Sequence, residues 1–137
     1  MIIQNIIIGD NNWHILFIYD INTTKDISEV IRVLSRFNFV DNYLNDIPSL
    51  LRGWNHGCTI TNTDIKFSIV IIGKATSFGE FNNTIIHELD HVQNDICNYY
   101  NVDNTSEQAA YLIGYIAKKV YSKINFKKYS KLFCFYK

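Results

Sequence analysis

Apolar and polar positions change period several times along the chain, and each change marks an element. Ile2–Ile8 and Trp13–Asp20 are apolar, β-branched runs separated by Gly9-Asp10-Asn11-Asn12, a β-hairpin pattern. Asp26–Phe37 then places Ile27, Val30, Ile31 and Leu34 at helical spacing, with Thr23 or Thr24 available as a cap. Asp41–Arg52 reads as a weaker helix interrupted or restarted at Pro48, and Gly53–Gly57 as a loop. Cys58–Thr61 and Lys66–Gly73 read as a second hairpin around Asn62-Thr63-Asp64. After a loop at Lys74–Glu80 come two amphipathic helices, Asn82–Asn98 and Thr105–Ser122, and a basic, aromatic tail, Lys123–Lys137. The expected architecture is α+β: a small, mostly antiparallel sheet packed with helices, in one domain spanning 1–137.

Composition narrows this. With 137 residues, 47% hydrophobic and 19% charged, the chain has ample apolar surface to bury, which excludes a disordered protein. Lys and Arg number 13, as do Asp and Glu, which argues against a polycation built to bind nucleic acid. Cys58, Cys97 and Cys134 are scattered and include no CxxC, which excludes a disulfide scaffold and a cysteine-rich zinc knuckle. The opening stretch Met1–Gly9 lacks the positive start and small-residue cleavage site of a signal peptide. The apolar runs fall far short of the ~20 residues a membrane helix needs. The expectation is a soluble, cytoplasmic protein that makes no use of a membrane.

The chemistry concentrates at His87-Glu88-Leu89-Asp90-His91, an HExxH motif. On a helix the two histidines are one turn apart and, at ~100° per residue, only ~40° apart around the axis. Both imidazoles can therefore reach one tetrahedral Zn²⁺. Glu88 is placed to take a proton from zinc-bound water rather than to bind the metal. The apolar face of this helix is Ile85, Leu89, Val92, Ile96 and Tyr99. Thr84, His87, His91, Asn94, Asp95 and Asn98 lie opposite, so the histidines belong to the polar face.

A zinc needs a third protein ligand, and three candidates stand within reach. Glu107 opens the next helix, and the small residues Ala110 and Gly114 share its face with Tyr111, which would let that face approach the HExxH helix. Alternatively Thr105-x-x-Gln108 is a capping box and Glu107 merely favours the helix dipole. Cys97 stands where a metzincin has its third histidine, but points ~120° away from His91 on a continuous helix, which suits a buried structural cysteine. Asp95 shares the metal face but lies ~6 Å beyond His91 along the axis, which suits a supporting role.

His87-Glu88-x-x-His91 followed by Glu107-x-x-Ala110 resembles the gluzincins, the thermolysin-like class of zinc metallopeptidases. The resemblance covers about forty residues. It implies zinc held by His87, His91 and Glu107, with Glu88 as general base. The gap between His91 and Glu107 is shorter than in thermolysin. The stretch is also similar to small HExxH proteins of phages and their bacterial hosts. In zincins an edge strand lies above the active helix and pairs with extended substrate, a role that would fall here to Cys58–Thr61 or Lys66–Gly73.

His56, in a Gly-flanked loop, and Tyr111, one turn beyond Glu107, are candidate donors to an oxyanion. Each has a plainer reading, as a loop histidine and a core-facing tyrosine. Lys118, Lys119, Lys123, Lys127, Lys128, Lys131 and Lys137, interleaved with aromatics, read as a solvated face over buried rings in preference to a nucleic-acid surface. Two functions follow as expectations. The first is zinc-dependent hydrolysis of a peptide or protein substrate. The alternative, motivated by the tail and by the phage resemblance, is a structural component of a larger assembly such as a phage particle.

Overall fold

A computed structural model describes residues 1–9, 12–37, 39 and 56–124. Strands β1 (Ile2–Ile8), β2 (Trp13–Tyr19), β3 (Gly57–Asn62) and β4 (Phe67–Ile72) form one sheet in the order β1-β2-β4-β3. Helices α1 (Thr24–Arg36), α2 (Phe78–Tyr99) and α3 (Glu107–Lys123), with a short 3-10 turn at Thr63–Ile65, complete the described fold. β1–β2 and β3–β4 are antiparallel, as the two hairpin patterns require. β2–β4 is parallel, with Leu16 opposite Ile69. The sheet is therefore mixed. After α1 the chain rejoins the sheet as β3, running opposite to β2, and the β3–β4 hairpin turns it back so that β4 lies parallel to β2; the hairpin patterns by themselves carry no sign of that pairing. The expected helix at Asp41–Arg52, Trp54 and the tail beyond Ile124 lie outside the described residues.

Alternation in the strands separates two cores. Trp13, Ile15, Phe17 and Tyr19 of β2, with Val70 and Ile72 of β4, face α2 and α3. Ile18, Ile69, Ile71 and Ile60 face α1 through Ile27, Val30, Val33 and Leu34. The central strands are thus buried on both faces and read as near-continuous apolar runs. On α2, Phe81, Ile85, Leu89, Val92 and Ile96 are buried against the sheet, worth about 1.5–3 kcal/mol per large side chain.

The helix ends are well specified. Thr23 caps α1 in a reciprocal capping box with Asp26. α2 begins at Phe78, four residues before the apolar pattern suggests, because Ser77 accepts the Glu80 amide. Its far end is a Schellman closure: the Val102 amide reaches the Cys97 carbonyl at 2.8 Å and Asn101 takes the left-handed conformation, φ 55°. Ser106, rather than Thr105, caps α3, which leaves Glu107 as its first residue. No helix among the described residues is long and apolar enough to cross a membrane.

Candidate metal centre

β3 is the outer strand beside β4, and α2 runs directly beneath it. Gly57, Thr59 and Thr61 of β3 turn towards α2, while Ile60 and Cys58 turn to the α1 side. The approach at Gly57 is close enough to need glycine. A Cβ there would lie 2.8 Å from Glu88 Cγ, Glu88 Oε1 and Thr84 Cγ2. Between β3 and α2 lies an open cleft of about 590 Å³. His56, Thr59, Thr61, His87, Glu88, His91 and Asp95 all line it.

His87 and His91 project from consecutive turns of α2, exposed, with their rings 81° apart in plane. Their Nε2 atoms are 3.2 Å apart. Two nitrogens at that separation, each ~2.0–2.1 Å from a shared zinc, subtend about 100° at the metal, close to a tetrahedral angle. The donor pair therefore fits the first two positions of a zinc site. Among the described residues, no group of three or more His, Cys, Asp or Glu side chains is gathered in a way that would hold a metal.

Glu88 is rotated by about 100° from His87, away from solvent and under β3. It is only 4% exposed. The Thr59 hydroxyl donates to its Oε2 at 2.6 Å. Burying a carboxylate without a donor would be costly, so this bond partners Oε2 and fixes the orientation of the group. One register step along, the Thr61 hydroxyl donates to Asp95 Oδ2 at 2.6 Å. The Trp13 indole donates to Ser68 Oγ at 3.0 Å, and Ser68 and Thr61 meet at 2.9 Å. An indole N–H only donates and a carboxylate only accepts, so the protons must run from Trp13 to Ser68 to Thr61 to Asp95.

At the mouth of the cleft His56 Nδ1 contacts Glu80 Oε1 at 2.9 Å. Glu80 Oε2 accepts both the hydroxyl and the amide of Thr76, at 2.6 and 2.7 Å. The Thr76 bonds hold the Glu80 carboxyl below the usual carboxylate range, with burial opposing and His56 assisting.

The other candidates lie elsewhere. Glu107 is exposed at the start of α3 and does not line the cleft. The face it shares with Ala110, Tyr111 and Gly114 points to solvent, with Tyr111 73% exposed. Ala109, Ile116 and Val120 are the buried residues of α3. The expectation that small residues would draw the Glu107 face onto α2 is therefore reversed, because the larger aliphatic side chains decide which face is buried. Tyr111 lines a separate apolar groove of about 560 Å³ with Cys97, Tyr100 and Tyr115, and is neither core-facing nor in the cleft. Cys97 is buried, accepts the Gln93 amide at 3.6 Å, and has its thiol pushed up by burial. It is the structural cysteine that its position on the helix suggests. Asp95 does reach the cleft, beyond His91.

Sequence reasoning missed Gly57, Thr59, Thr61 and Glu80 as parts of the site. Only Glu80 left a local signal, the Ser77-x-x-Glu80 helix start. Comparison with protein-family models, with curated proteins and with solved structures finds no match.

Proposed function

We propose that the chain is a small zinc-dependent peptidase with the zincin arrangement of an active helix beneath an edge strand, His87 and His91 holding the metal and Glu88 acting as general base. The observation that carries this reading is the convergence of the two Nε2 atoms at 3.2 Å beside a buried carboxylate in an open cleft. A zinc ion bound there supplies Lewis-acid polarisation of a peptide carbonyl and activation of water. Glu88 takes a proton from the attacking water as the new C–O bond forms, and returns it to the amine nitrogen as the C–N bond breaks. Asp95 is the further carboxylate within the same cleft, and Glu107 lies outside it. Of the two candidate oxyanion donors, His56 is at the cleft. Its Nδ1 is engaged by Glu80, so its Nε2 donates when the ring is charged.

The test is elemental analysis of purified wild type, His87→Ala and Glu88→Gln, followed by a peptide-library hydrolysis screen. One zinc per chain that disappears in His87→Ala and persists in Glu88→Gln, with hydrolysis lost in both, is the expected result. Absence of zinc from wild type after incubation with the metal at neutral pH would overturn it. The second reading, a structural component of a larger assembly such as a phage particle, draws on the exposed Tyr111 and Tyr115 of α3. It expects Glu88→Gln to assemble normally.

A further inference from the structure

Among the described residues, the side-chain hydrogen bond to Glu88 comes from β3. The Thr59 hydroxyl donates to Oε2 at 2.6 Å, and Oε1 sits against Gly57, where a Cβ would come within 2.8 Å. A hydroxyl has a single proton, so Thr59 cannot serve both the Glu88 carboxylate and the Glu88 carbonyl, which lies 3.2 Å from the same oxygen. The shorter, charge-assisted contact to Oε2 takes the proton. The two carboxylate oxygens are thereby made unequal: one is engaged by Thr59 and the other lies over the bare backbone of Gly57.

We infer that Thr59 is a positioning residue for the general base, and that it leaves Oε1, in the space kept open by Gly57, as the oxygen that exchanges protons with the reacting groups. The inference rests on the peptidase reading and adds the device that aims the base. It explains two choices in β3 that the strand itself does not require. A glycine weakens a strand, and at position 57 it admits Oε1. A threonine facing inward at position 59 brings a hydroxyl where an aliphatic side chain would pack as well, and supplies the one bond that Glu88 Oε2 makes to β3.

The test compares Thr59→Val, Thr59→Ser, Gly57→Ala and Glu88→Gln with wild type. Zinc content is read by elemental analysis, hydrolysis with a peptide cleaved by wild type, and stability by thermal unfolding of the metal-free proteins. Thr59→Val keeps the volume and the β-branch and removes only the hydroxyl. Zinc should be retained, kcat should fall about 10- to 100-fold with little change in KM, and Thr59→Ser should recover most of the loss. Gly57→Ala should lower kcat in the same way by displacing Oε1. Independently of activity, the Tm losses of Thr59→Val and Glu88→Gln should be non-additive in the double variant, as expected of two groups in contact. Additive Tm losses overturn the inference. So does Thr59→Val hydrolysing at the wild-type rate while Glu88→Gln is inactive, a result that leaves the peptidase reading standing. A zinc-loaded wild type that cleaves no peptide overturns the peptidase reading, and the role of Thr59 falls with it.

Discussion

The two flanks of α2 differ sharply. The flank under β3 is lined by hydroxyls, carboxylates and imidazoles, each with a partner or a route to the cleft. The flank towards α3 is an apolar groove floored by Cys97 and walled by Ile96, Leu112 and tyrosines. Both are concave and of similar volume, about 590 and 560 Å³. Volume therefore does not distinguish them, whereas the polarity of the opposing element does. A strand that presents Gly57, Thr59 and Thr61 makes a polar, hydrogen-bonding surface. A helix that presents Tyr111, Leu112 and Tyr115 makes an apolar one.

The largest expected contrast is in metal binding. His87→Ala and His91→Ala, on the first flank, should weaken zinc binding by more than the ~100-fold that losing a supporting partner costs. Glu107→Ala, on α3, should leave it unchanged, as measured by calorimetric titration. Zinc lost in Glu107→Ala would break the comparison by bringing α3 into the site. Next in size, Leu89→Ala removes a side chain 1% exposed and should cost about 2–5 kcal/mol in denaturant unfolding without touching His87 or His91.

Smaller effects sharpen the picture at the mouth of the cleft. Ser77→Ala removes the α2 cap and should cost about 1 kcal/mol. Glu80 titrates below the usual carboxylate range because Thr76 binds its ionised form. Its contribution to stability is present above the ordinary carboxylate range and is lost as pH falls through the depressed value. Thr76→Ala should therefore lower Tm near neutral pH and converge with wild type in acid, which melting curves taken across that range will show. Smallest of all, Tyr111→Ala, 73% exposed, should change stability by no more than about 0.5 kcal/mol.

Much of this was legible in the sequence. The hairpins, the three described helices and the pairing of His87 with His91 on one face follow from period and spacing alone. The burial of Glu88 does not. On a helical wheel it falls between the histidines and the apolar stripe, and only the position of β3 makes that sector interior. The Glu107 face was misjudged because small residues signal that a close approach is allowed, whereas Ile116 and Val120 supply the free energy that fixes the approach. Thr59 and Thr61 look like ordinary strand residues, because threonine suits a half-buried strand with or without a partner.

The hydroxyl chain from Trp13 to Asp95 has one more consequence. An outer strand is ordinarily the easiest part of a sheet to slide, since it is anchored on one side only. Here a slip of a single residue would turn Cys58 and Ile60 towards Glu88 and Asp95, stranding two carboxylates against apolar groups. β3 thus behaves like a key with two teeth. It seats fully or not at all, and the aim of Glu88 is set in discrete steps rather than drifting as the strand breathes.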